Sequence, residues 1–143
     1  MRKLILLPVM FIIAGCTSLY LTGCKPSFVT GAVDTLAASN GAIVQAQADH
    51  LTECQATPSK PICATISTAV TYENMGLDAL ESYCSLPVRP DAATLAAQGT
   101  TTCKENPTAK AALVNALSNV SAILADYQTL NATEKLQKTG GAQ

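Results

Sequence analysis

An all-α fold is what the sequence predicts: a small three-helix up-down-up bundle stapled by two disulfides, with a short extra helix in the second connection. Three observations lead there. Three segments repeat apolar residues at steps of three and four, the signature of a buried helix face. Four Cys residues stand at the ends of these segments. The connections are short, which favours antiparallel neighbours.

The first segment runs from Ser27 to Cys54, "SFVTGAVDTLAASNGAIVQAQADHLTEC". Val29, Val33, Leu36, Asn40 and Ile43 share one face, and Ser27 suits the cap position. Gly31 and Gly41 each weaken a helix by about 1 kcal/mol relative to Ala, so a bend is expected near Asn40-Gly41. The second segment is Pro61 to Cys84, with Ile62, Ile66, Ala69, Leu77, Leu80 and Cys84 aligned. Pro61 fits a first helical position, where its missing N–H costs nothing. Thr65, Thr68, Val70 and Thr71 add some strand character.

The third segment, Pro107 to Thr133, carries the longest stripe: Leu113, Leu117, Val120, Leu124 and Tyr127, flanked by Ala116, Ile123 and Leu130. Asn106 before Pro107 signals its start. The last residues, 134–143, "EKLQKTGGAQ", lack such a pattern and read as a flexible tail. Within the second connection, Asp91 is placed to cap a short helix through Ala97, ended by Gly99. A helical body over residues 28–133 results. Its stripes are rich in Ala, so the core buries little area per residue and is marginal alone.

The Cys positions limit how that core can be reinforced. If the second segment is helical, Cys63 and Cys84 are separated by about 31 Å at 1.5 Å per residue. Bonded Cys residues need Cα atoms within about 7 Å. Cys63–Cys84 is thereby excluded, and Cys54–Cys103 would join opposite ends of the bundle. Cys54–Cys63 and Cys84–Cys103 remain. Zinc ligation by these Cys is disfavoured, because no CxxC pair occurs.

The amino end has another character. "MRK" is followed by the uncharged stretch Leu4 to Gly23, "LILLPVMFIIAGCTSLYLTG", the layout of an export signal. Within it, Ile13-Ala14-Gly15-Cys16 and Leu21-Thr22-Gly23-Cys24 both resemble the lipobox of bacterial lipoproteins. The resemblance covers the first 24 residues and no more. It implies cleavage before the Cys by signal peptidase II, diacylglycerol on its sulfur and a fatty acid such as palmitate on its new amine.

Besides the lipidated residue, cleavage before Cys16 would leave five Cys in an oxidising compartment, and cleavage before Cys24 an even four. Cys24 is therefore the expected lipid-attachment residue, with Cys16 the alternative. Residues 1–23 then form the signal peptide and 24–27 a lipidated tether. Lipoproteins retained in the inner membrane tend to have Asp after the lipidated Cys; here Lys25 follows Cys24 and Thr17 follows Cys16. The resemblance thus implies the periplasmic face of the outer membrane.

Charge and chemistry narrow the function. Of nine Lys and Arg, two lie in the signal, leaving seven against ten Asp and Glu, a net −3. Phosphate binding needs clustered basic residues, so nucleic acid is not an expected partner. The sole His, His50, lies near Asp49 and Glu53 in "QADHLTEC". It reads as part of a solvated polar face at a helix end, where His suits the carbonyl dipole. Glu73 and Asp78 read as helix surface, and Tyr72, Tyr83 and Tyr127 as core.

No catalytic residue, cofactor or resident metal is expected. The leading expectation is a lipid-anchored envelope protein acting on a protein partner as an accessory, inhibitor or exclusion factor. Two alternatives stand beside it: a phage-type lysis lipoprotein of the spanin kind, and a small enzyme or metal binder centred on His50.

Overall fold

A computed structural model describes residues 28–94, 103 and 106–140. Every regular element among them is helical: α1 (Phe28–Asp49), α2 (Leu51–Ala56), α3 (Pro61–Cys84) and α4 (Pro107–Gly140). Cys54 is bonded to Cys63 and Cys84 to Cys103, the pairing expected from the sequence. Cys16 and Cys24 lie outside the described residues.

Three groups of buried side chains follow one another along the helices. At one end, Val33 and Leu36 of α1 meet Leu77, Leu80 and Tyr83 of α3 and Leu113 of α4, with Cys84 and Cys103 alongside. In the middle, Ile43, Ala69 and Val120 come together. At the other end, Ala46 meets Ile62, Cys63 and Ile66, covered by Cys54, Tyr127 and Leu130. Each disulfide therefore belongs to an end group. The packing of α3 on α4 is the most extensive, and α1 lies against both.

α1 is unbroken through Asn40-Gly41, where a bend was expected. No atom beyond the local backbone approaches a Cβ placed at Gly41, so glycine there costs propensity and nothing more. Leu36 and Ile43, both buried, hold the helix on either side. The break falls at His50 instead, with φ −113° and ψ 12°. Its N–H still reaches Ala46 O at 3.2 Å and its carbonyl accepts from Cys54 N at 2.9 Å. His50 thus keeps both of its own backbone hydrogen bonds at the break. The buried face is also rotated from the expected one. It comprises Ala32, Leu36, Ser39, Ile43, Ala46 and then His50, with Val33 beside it.

α2 buries none of its residues fully; the Cys54–Cys63 bond and an ion pair hold it. At the far end of α3, Ser85 takes the left-handed conformation, φ 51° and ψ 45°. Leu86 N–H closes the turn on Glu81 O at 3.0 Å. Arg89 binds the departing chain back onto α3: it donates to Asn74 Oδ1 at 2.6 Å and pairs with Asp78 at 2.6 Å.

Of the expected short helix from Asp91 to Ala97, residues 91–94 form a turn. Asp91 Oδ1 accepts the Ala93 N–H and Asp91 O the Thr94 N–H; residues 95–97 lie outside the described residues. α4 starts where Asn106 Oδ1 accepts the Ala109 N–H at 3.2 Å. It runs past Thr133 through Gly140, so the stretch read as a tail is helical as far as that residue. By length and composition α4 is apolar enough to cross a membrane, although its Leu113, Ala116 and Val120 are buried in the bundle.

One close approach ties the three long helices. A Cβ on Gly76 of α3 would lie 2.7 Å from Leu36 Cδ2 of α1 and 3.7 Å from Ala116 Cβ of α4. Leu36 is fully buried and has nowhere to retreat. Gly76→Ala should therefore destabilise the protein by about 1–3 kcal/mol through overpacking, despite the better helix propensity of Ala. Gly41→Ala, with free space around it, should stabilise by about 0.5–1 kcal/mol. Urea unfolding of the two variants should move in opposite directions.

Candidate functional site

The redirection at His50 determines where polar chemistry gathers. His50 continues the buried stripe of α1, and it is only 7% exposed. This corrects the expectation of a solvated polar face: the one His occupies a core position at the end of the bundle. Its ring meets the Tyr127 ring edge-on, with centroids 5.9 Å apart and planes at 90°.

His50 Nδ1 lies 3.1 Å from Glu53 Oε2. The other oxygen of Glu53 accepts a hydrogen bond from Lys60 Nζ. Glu53 is held down to about 2, first by Lys60 and then by His50. The same bond to Glu53 raises the pKa of Lys60. Three consecutive pieces of chain are thus linked: the α1–α2 junction, α2 and the residue before α3. The Cys54–Cys63 bond closes the same loop covalently.

α4 completes the site from its last turns. Asp49, His50, Asn131, Glu134, Lys135 and Lys138 line a cleft of about 330 Å³. Asn131 donates to the Tyr127 hydroxyl at 3.3 Å, and Lys138 Nζ stands 3.9 Å from Glu134 Oε2. That oxygen is buried and has no hydrogen-bond partner. Burial, and then the charges of Asp49 and Glu134, push the Tyr127 hydroxyl pKa up.

Sequence reasoning noticed His50, Asp49 and Glu53 but missed Lys60, Asn131, Glu134 and Lys138. Glu134 falls in the stretch, 134–143, that reads as a tail. Yet it continues the α4 stripe, four residues after Leu130 and seven after Tyr127, and that spacing was a usable signal.

A second polar group is buried without compensation. Glu73, expected on the surface, is 6% exposed, and its Oε1 has no hydrogen-bond partner. Burial raises its pKa, and the charge of Arg89 opposes that only in part. Asp78, by contrast, is exposed as expected.

Two measurements check these assignments. Glu73→Met should stabilise the protein at neutral pH by about 1–2 kcal/mol, because an unsatisfied buried carboxylate is removed. Since the folded pKa lies above the ordinary 4.5, the penalty is absent below 4.5 and grows as pH rises through the folded value. The advantage of Glu73→Met should thus vanish on acidification. Separately, Cys54→Ala/Cys63→Ala should cost about 2–4 kcal/mol and increase amide exchange first in α2, which has no buried residue to hold it.

No family model, curated protein or solved structure matches this chain.

Proposed function

We propose that the chain is a lipid-anchored lipoprotein of the bacterial cell envelope that acts through contact with a protein partner. The observation that carries this reading is the use of its Cys residues. The sequence contains six. Two disulfides consume the four of the helical body. Both that remain, Cys16 and Cys24, stand in lipobox-like tetrapeptides behind a basic and apolar leader. Disulfides persist in oxidising compartments, which is where such a leader would send the chain.

Under this reading Cys24 carries the lipid, with Cys16 as the alternative, and residues 24–27 tether a helical body. A single acyl chain holds weakly and two or more hold firmly, so a triacylated protein stays on its membrane. Lys25 after Cys24 favours the periplasmic face of the outer membrane. The long helices run up-down-up. Support for that order comes from the end groups, where the start of α1 and the start of α4 both meet the end of α3. Partner contact is supported by large apolar side chains on the surface, including Val114 and Leu136 on α4 and Met75 on α3.

Intact mass spectrometry of the native protein under non-reducing conditions tests the proposal. The expected species begins at Cys24, bears three acyl chains and has no free thiol. Cys24→Ala should abolish acylation and Cys16→Ala should not. A chain that keeps Met1 and carries no lipid would overturn the reading. Crosslinking on intact membranes, followed by purification, should recover one recurrent protein partner.

A further inference from the structure

His50, Glu53 and Glu134 come from three separate pieces of the chain: the α1–α2 junction, α2 and the last turns of α4. Each offers one ligand atom, and these atoms lie within 4.8 Å of one another. We propose that the three residues form a binding site for a divalent transition-metal cation, best suited to Zn²⁺. The lipid anchor plays no part in the argument, so the site stands or falls separately from the envelope reading.

The donor set is one imidazole and two carboxylates, a combination that zinc accepts, commonly with water in the fourth position. Ligand atoms about 2.0–2.1 Å from a tetrahedral ion are about 3.4 Å from each other. His50 Nδ1 and Glu53 Oε2, 3.1 Å apart, nearly have that spacing already. Glu134 must close the remaining distance by a side-chain rotation, and the cleft beside it provides the room.

Two further observations point to a ligand here. His50 is more than nine-tenths buried yet lies on the wall of a polar cleft. Glu134 Oε2 is a buried oxygen without a hydrogen-bond donor, and a cation would supply its missing partner.

The surrounding groups suit the same geometry. Lys60 binds Oε1 of Glu53, which leaves Oε2 facing the imidazole and orients the carboxylate in the manner of an outer-shell partner. The T-shaped contact with Tyr127 restrains the plane of the His50 ring. Lys138 is the competitor, at 3.9 Å from Glu134 Oε2, but its side chain is 70% exposed and free to swing into solvent. In the metal-free protein the contact between His50 and Glu53 is a hydrogen bond, and the metal takes the place of the shared proton.

Titration of the purified, untagged, disulfide-bonded chain with Zn²⁺ tests the site. Calorimetry should give one ion per chain. Because His50 is the only His in the sequence, its ring signals in the NMR spectrum report on the site alone and should shift as the ion binds. Glu134→Gln, a change on a partly exposed side chain that keeps the helix, should weaken binding by about tenfold or more, and Glu53→Gln likewise. Lys138→Gln should strengthen it. Absence of saturable binding would overturn the proposal. So would binding that leaves the His50 signals in place or is equal in Glu134→Gln, since the ion would then be adventitious.

Discussion

Two disulfides at opposite ends of α3 are the constraint on which the rest of the bundle depends. Cys63 stands in the first turn of α3 and Cys84 in its last. The first bond joins the start of α3 to the segment that follows α1, and the second joins its end to the residues that precede α4. The arrangement compensates for a thin core. Small residues such as Ala32, Ala46, Ala69, Ala109 and Ala116 occupy much of the buried surface, and each contributes little area. Cross-linking shortens the loops of the unfolded chain and so lowers its entropy, supplying stability that burial of Ala does not.

Small side chains have a structural return. They let helices approach closely, and Gly76 is the limiting case, with Leu36 and Ala116 converging on it. Phe28 illustrates the opposite device at the bundle end: its ring meets Tyr83 edge-on at 5.5 Å, while the Lys110 ammonium lies over it at 5.1 Å. Aromatic contacts of this geometry add to area burial. Close backbone packing in the middle and larger side chains at the rims together close a bundle with few aromatic residues.

The buried polar residues divide into two kinds. Ser39 and Glu73 face the interior of the bundle, and one oxygen of Glu73 finds no partner. His50 lies at the end, where α2, the start of α3 and the last turns of α4 bring carboxylates and ammonium groups to it. Local rules fail at few positions in a foldable sequence, and such failures concentrate at functional or strained sites. His50 has a polar cleft beside it and a partner in Glu53, the marks of a candidate site, whereas the unpartnered oxygen of Glu73 is a source of instability.

The sequence by itself determined the helical class, the three long segments and the Cys pairing. Periodicity is a local property, and the length of a 24-residue helix forbids its two Cys from meeting. What it did not determine was which face of α1 turns inward. Ala32, Ser39 and Ala46 carry almost no hydropathy signal, so periodicity puts Asn40 on the inward face and leaves His50 and Glu73 to solvent, although Val29, Val33, Leu36 and Ile43 of the expected face do pack against the core. Only the tertiary structure decided that, because burial depends on where the neighbouring helices lie. The continuation of α4 past Thr133 was decided in the same way. Its last turns are polar, and Glu134 comes beside His50, more than 80 residues earlier in the chain, only once α4 is packed on the bundle.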